Sequence, residues 1–317
     1  MLGTARAAIQ HAFGEPSVMT IEEIAVPTPA AGEVLIRTRA AGINPVDVTT
    51  SKGGGIAGLL PDDALEAGLI FGWDIAGVVV ALGERVTGFG LGDRVFGLIR
   101  FPTPGKTFAE YATASIDEIH AIPGGVSFEF AGAVPLVGLT AWQALFDHGG
   151  LERGQTVLVH GGSGGVGHVA IQLAKHAGAR VIATASAANR DVVLGFGADE
   201  VIDYRTQRFE EHVHDVDVVL NTVYGDALDR SWQVLKPGGI IVSILATPEI
   251  PATAPDGVRG SRVSVHSDGG EIARLAELLA NGALQPRIQR AGSLDEIRDL
   301  FVELDEGHVV GKLIVTF

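Results

Sequence analysis

Residues 160–167 read HGGSGGVG and follow directly on the apolar run TVLV at 156–159. The stretch satisfies two patterns at once. Gly162-Ser163-Gly164-Gly165-Val166-Gly167 is a G-x-G-x-x-G, the turn that holds a dinucleotide pyrophosphate. Gly161-Gly162-Ser163-Gly164-Gly165 is a G-x-S-x-G, the turn that presents a hydrolase's nucleophilic serine. Both turns sit between a strand and a helix, so the immediate context does not separate them.

The flanking sequence does. Thirteen residues past Gly167 a second strand begins, RVIATAS, which completes a βαβ unit of the length a dinucleotide fingerprint requires. A serine hydrolase needs an acid and then a histidine in strand-end loops downstream. His266 and His308 stand there without a paired acid, and the segment ahead of the loop is a different kind of domain. The loop therefore reads as a phosphate cradle. One glycine permits the tight turn, one lets backbone N–H groups approach, and Gly167 lets the helix pack close to the sheet. The helix starting near Gly165 aims its free N–H groups and its dipole at the phosphates. A hydrolase using Ser163 remains the remote alternative.

Upstream, EVLIRTRAAGI (33–43), IAGVVVAL (75–82) and DRVFGLI (93–99) read as strands separated by Gly-rich turns, a mainly-β domain. FEFAGAVPLVGLTAWQALFDHG (128–149) carries apolar residues at helical spacing. Downstream, apolar strands alternate with helix-length connections, which implies a parallel sheet buried on both faces. RVSVHS (262–267) and the helix GEIARLAELLANG (270–282) are expected to add one more unit to that sheet. TPEIPATAPDGVRGSR (247–262) reads as a surface loop, and the terminal GKLIVTF as a strand that need not belong to the same sheet.

The 317 residues are 46% hydrophobic and 19% charged, enough for two cores. A net charge of -15 argues against nucleic acid as the main partner, because phosphate contacts need clustered Lys and Arg. Cysteine is absent, which excludes disulfides, thiolate zinc sites and a cysteine nucleophile. With no secretory signal pattern and no uninterrupted apolar run of membrane length, the expectation is a cytoplasmic protein with no membrane partner.

The chain closely resembles the medium-chain dehydrogenase/reductase superfamily in its zinc-free quinone oxidoreductase (enone reductase-like) branch. AAGINPVD (40–47), GWDIAGVVVALGERVTGFGLGDRVFG (72–97), FAEYATA (108–114), GAVPLVGLTAWQAL (132–145), the Gly-rich loop, GADEVIDYR (197–205) and GHVVGK (307–312) carry the likeness in that order. The resemblance implies an α/β fold: a Rossmann coenzyme domain at 123–283, and a GroES-like catalytic domain, a partly opened β-barrel, at 1–122 rejoined by 284–317. Zinc-dependent relatives carry Cys near position 44 and Gly-His-Glu near 72–74. Here those positions are Asn44 and Gly72-Trp73-Asp74, so no metal is expected.

The chemistry that the resemblance implies is that of an NADPH-dependent, zinc-independent reductase, which transfers hydride to a quinone or an α,β-unsaturated carbonyl. Charge develops on the acceptor oxygen, so a donor beside it suffices. The resemblance offers Asn44 in GINPVD and Thr140 in GLTAW; Tyr224 departs from the family, which more often has Gly there, but follows the strand VDVVLNTV, whose carboxyl end faces the ligand crevice in such sheets. Asn44 reads equally as a turn-former before Pro45, and Thr140 as a satisfied helix hydroxyl. A cofactor-binding protein with little turnover is the main rival. For the cofactor, the second strand ends at Ser186 with no acid before Asp191, which favours a 2′-phosphate over a bare ribose. Arg190 supplies charge there, and Tyr204 matches a family tyrosine at the same phosphate. The resemblance adds Asn221, Val223, Leu245, His308 and Val310 as cofactor contacts. The apolar RVSVHS, read as a sheet edge, predicts a homodimer.

Overall fold

The computed structural model describes residues 3–61, 63–246, 250–251 and 257–317. Its strands are β1 (Thr4–Ile9), β2 (Thr20–Ala25), β3 (Glu33–Ile43), β4 (Asp74–Leu82), β5 (Arg94–Leu98), β6 (Tyr111–Ser115), β7 (Ile119–Ala121), β8 (Thr156–Val159), β9 (Arg180–Ala185), β10 (Glu200–Asp203), β11 (Val216–Asn221), β12 (Leu235–Ser243), β13 (Arg259–Arg262), β14 (Ile288–Ser293) and β15 (Lys312–Thr316). Its α-helices are α1 (Pro45–Ser51), α2 (Phe128–Ala133), α3 (Pro135–Trp142), α4 (Gly165–His176), α5 (Arg190–Gly195), α6 (Ala227–Ser231), α7 (Gly269–Ala280) and α8 (Ile297–Glu306). No described helix is long and apolar enough to cross a membrane.

Two compact units emerge. The first comprises Met1–Leu139, His266–Gly282 and Pro286–Phe317, the second Thr140–Val265 with Ala283–Gln285. Segment 123–139 and helix α7 thus go with the first unit, whereas the sequence placed both in the coenzyme domain. Small residues explain part of this. Gly132 of α2 lies so close to β3 that a Cβ there would meet the Ala40 carbonyl at 2.9 Å. Helix α7 packs on β7, and helical periodicity says that a face is buried without saying against which sheet.

The first unit holds a seven-stranded mixed sheet in the order β14-β15-β3-β4-β5-β7, with β6 also paired to β3, beside the β1–β2 hairpin. It does not close into a barrel. Alternation along β3 and its neighbours buries Val34, Ile36, Ile75, Val79, Val95 and Ala112 in one cluster. The terminal strand β15 pairs antiparallel to β3, which brings Lys312 beside the end of β3.

In the second unit the order is β10-β9-β8-β11-β12-β13, every pair parallel. Numbered from β8, that is 3-2-1-4-5-6, the dinucleotide-binding order, with its reversal between β8 and β11. Leu158, Ile182, Ile202, Val219 and Ile241 from successive strands pack with Phe209, Leu228 and Val234 on one face. The edge strand is Arg259–Arg262; residues 263–268 carry no strand, which corrects the reading of RVSVHS. Alternating Val and Ser mimicked a strand, but only 259–262 pair with β12. Of the expected surface loop, 247–249 and 252–256 lie outside the described residues, while its last four residues are this strand.

Candidate functional site

Parallel pairing puts the carboxyl ends of β8, β9, β10, β11 and β12 along one rim of the second unit's sheet, where ligands bind in open α/β sheets. At the switch point, β8 runs through His160 into the Gly-rich turn and α4. Gly161 takes a positive φ of 67°, and its carbonyl accepts from Gly164 N–H at 3.0 Å. Gly167 lies against that same carbonyl, so any Cβ there would overlap it. Gly164 differs. Its backbone is extended, and a Cβ would come no nearer than 3.4 Å to anything, so packing does not require glycine there. What the missing side chain does is leave the backbone face bare.

The first-turn N–H groups of Gly165, Val166 and Gly167 have no acceptor within their own helix. The 12-residue α4 stands behind them with Lys175 and His176 at its far end, which complements its dipole. Ser163 Oγ accepts from the Asn189 amide at 3.3 Å. An amide cannot take the proton a nucleophilic serine must lose, which weakens the hydrolase alternative.

At the end of β9, Ser186 is buried and opens a 3-10 turn without its hydroxyl capping that turn. Exposed Arg190 anchors one guanidinium nitrogen on the Val201 carbonyl at 2.6 Å, which leaves its other N–H groups free to reach an anion. Tyr204, 56% exposed, follows β10, and the Arg205 guanidinium lies over its ring. Ser186 and Tyr204 therefore directly follow two paired strands, and Arg190 opens helix α5 beyond the first of them.

Asn221 ends β11. Its Nδ2 donates to Ser243 Oγ at 3.3 Å, while its buried Oδ1 has no partner in the chain. Leu245 N–H donates to the same Ser243 hydroxyl, and Val223 and Tyr224 continue from β11. Tyr224 is 71% exposed. Thr140 is buried within α3 and has a partner. The second unit thus brings Gly162 through Gly167, Ser186, Arg190, Tyr204, Asn221, Val223, Tyr224 and Leu245 to one rim.

Asn44, His308 and Val310 belong to the first unit. Exposed His308 has a positive φ of 66°, and Val310 N–H donates to the Gln289 side chain at 2.8 Å. Asn44 sits in a wholly buried polar cluster. Its Nδ2 donates to Asp74 Oδ2 at 2.9 Å and its Oδ1 accepts from the Lys312 ammonium. Its backbone N–H donates to Asp47 Oδ2 at 2.8 Å. The ammonium also donates to the Ile43 carbonyl at 2.9 Å and lies 3.6 Å from Asp74, whose other oxygen accepts from Leu136 N–H at 2.6 Å.

The cluster thus holds two carboxyl groups and one cation away from water. Burial, with the Asp74 charge nearby, pushes Asp47 up to about 8; burial likewise raises Asp74 and lowers Lys312.

These positions do not fit zinc. Trp73 donates its indole N–H to the Thr103 carbonyl at 2.7 Å, Asp74 has both oxygens engaged, and a lysine cation already meets Asn44 and Asp74. Among the described residues no group of three or more His, Asp or Glu is arranged to hold a metal ion. Lys312 is the residue sequence reasoning missed. GHVVGK flagged its neighbours, but nothing local in a sequence says that a lysine in a terminal strand is buried.

The alcohol dehydrogenase GroES-like domain family matches residues 30–124, and the zinc-binding dehydrogenase family matches 196–315. The chain is 34% identical to 2-methylene-furan-3-one reductase of Solanum lycopersicum, over 96% of this chain and 76% of that protein. It is 38% identical to the spectinabilin polyketide synthase system protein NorB of Streptomyces orinoci, over 90% of this chain but only 13% of that protein's length. Among solved structures, the quinone oxidoreductase from Coxiella burnetii superposes with a TM-score of 0.90 at 33% identity, covering 99% of both chains.

Proposed function

The chain belongs to the medium-chain dehydrogenase/reductase superfamily of oxidoreductases, and from that premise we propose that it reduces quinones or α,β-unsaturated carbonyls with NADPH, without zinc. The observation that carries the dinucleotide half is Gly164, a glycine that packing does not demand, set ahead of three unsatisfied helix N–H donors. The 2′-phosphate preference is supported by Ser186 and Arg190 where an acid would select NADH. The acceptor class is supported by the names of the relatives, one a reductase of a conjugated methylene ketone and one a quinone oxidoreductase.

When bound, a reduced nicotinamide supplies the hydride. The chain's part is to grip the pyrophosphate on backbone N–H groups and set a donor near the oxygen where charge develops. Of the three candidate donors, Asn44 has its amide committed to Asp74 and Lys312, and Thr140 already has a partner. Tyr224 keeps an exposed hydroxyl and is the donor we assign.

A cytoplasmic setting and a homodimer joined along the open edge of β13 belong to the same reading. The test is a panel of quinones and enones, each with NADPH and NADH, followed by loss of the reduced nicotinamide absorbance with and without a chelator. NADPH-selective turnover that survives chelation is expected. Tight NADPH binding with no turnover on any acceptor would favour a cofactor-binding protein instead.

A further inference from the structure

Buried behind the Gly-rich turn is a histidine that takes no part in the proposed hydride transfer. His160, the residue between β8 and Gly161, is 1% exposed and packs edge-on to Phe209 with ring centroids 4.7 Å apart. Burial, helped by the nearby Arg230 charge, lowers it to about 4, so the ring is neutral at physiological pH. A neutral imidazole has one donor and one acceptor nitrogen.

The neighbours determine which is which. Ser231 Oγ lies 2.6 Å from the Ala227 carbonyl and gives its only hydrogen to it. Toward His160 Nε2, 2.9 Å away, the same oxygen can only accept, so Nε2 carries the proton. Nδ1 is then an acceptor and takes the hydroxyl hydrogen of Thr184 at 3.2 Å. That leaves a lone pair on Thr184 Oγ1 facing the Gly161 N–H, also at 3.2 Å. The chain runs one way throughout, from Gly161 N–H through Thr184, His160 and Ser231 to the Ala227 carbonyl. Around it, Gly162 N–H donates to the Thr184 carbonyl at 2.9 Å and Thr222 Oγ1 donates to the His160 carbonyl at 2.7 Å.

Gly161 is the residue this arrangement fixes, and Gly161 is the floor of the turn. Its carbonyl receives Gly164 N–H and forms the wall against which Gly167 packs. We propose that Thr184 and His160 are positioning residues for the dinucleotide loop: their directed hydrogen bonds hold the Gly161 peptide so that the first-turn N–H groups of α4 converge on the pyrophosphate. The role rests on the dinucleotide-binding reading of the loop.

The test separates hydroxyl from methyl at position 184 in the full-length chain, with NADPH affinity read by nicotinamide fluorescence. Thr184→Val keeps the buried volume and suits a strand, yet removes the hydroxyl and strands both Gly161 N–H and His160 Nδ1. Thr184→Ser keeps the hydroxyl and loses only the methyl. A positioning role predicts roughly tenfold weaker NADPH binding for Thr184→Val and binding within about twofold of wild type for Thr184→Ser. A packing role predicts the reverse order. Thr184→Val binding as tightly as wild type, or Thr184→Ser losing as much as Thr184→Val, overturns the proposal. Wild-type protein that binds neither NADPH nor NADH removes the dinucleotide reading itself, a failure distinct from equal affinities among variants that do bind.

Discussion

The two units treat polar groups in opposite ways. In the first, Asn44, Asp47, Asp74 and Lys312 form a buried cluster in which every polar side-chain atom except Asp47 Oδ1 meets a partner. In the second, the rim of the parallel sheet is chemically modest, yet the first-turn N–H groups of α4 have no acceptor within their own helix. A buried ion cluster that satisfies itself holds a fold; polar groups left open at a rim await a ligand.

The largest effect that could break this contrast comes from the first unit. Lys312→Met removes the cation and leaves the buried Asp74 without its counter-charge, which should cost roughly 3–5 kcal/mol of stability by urea denaturation. A loss under about 1 kcal/mol would mean that the cluster is open to water and not a structural core.

Next is Arg190→Ala in the second unit. Affinity for NADPH should fall about tenfold with NADH nearly unchanged, since only the former carries the 2′-phosphate. Equal losses for both cofactors would make Arg190 a brace for the Val201 carbonyl and nothing more.

Gly164→Ala should have a smaller effect on binding and almost none on folding. The methyl group has space in the free protein, so the melting temperature should hold while NADPH binding weakens roughly fivefold. An alanine variant that melts much lower would show that packing demanded the glycine after all.

The smallest effect sharpens the account of the buried cluster. Folded Asp47 keeps its proton up to about 8, against an ordinary 3.8, so between those limits the folded chain binds more protons than the unfolded one. The Asp47 contribution to stability is therefore intact at low pH and declines as pH rises through that window. Asp47→Asn cannot titrate, so the stability difference should shift in the variant's favour as pH rises. A difference that stays constant across the window would place an ionised Asp47 in the folded state.

How much of the molecule was legible in its sequence depends on the range of the interactions. The Gly-rich turn, its helix and the second strand are consecutive, so HGGSGGVG and RVIATAS were enough to place them. The strand order could be expected only from the family resemblance. Positions 263–268 misled because alternating Val and Ser is a strand pattern whether or not a partner strand is present. The unit assignment of α7 was hidden for the same reason. The Asn44–Asp74–Lys312 cluster joins residues 268 positions apart at its widest bond, and no local pattern carries such a contact. The His160–Thr184–Ser231 chain was equally silent, since its members stand 24 and 71 positions apart.

The central claim is that the open rim of the second unit holds a nicotinamide dinucleotide. Isothermal titration of the wild-type chain with NADPH and with NADH tests it without any assumption about the acceptor. A single saturable site that takes NADPH more tightly than NADH is the predicted result. No binding heat with either dinucleotide would contradict it.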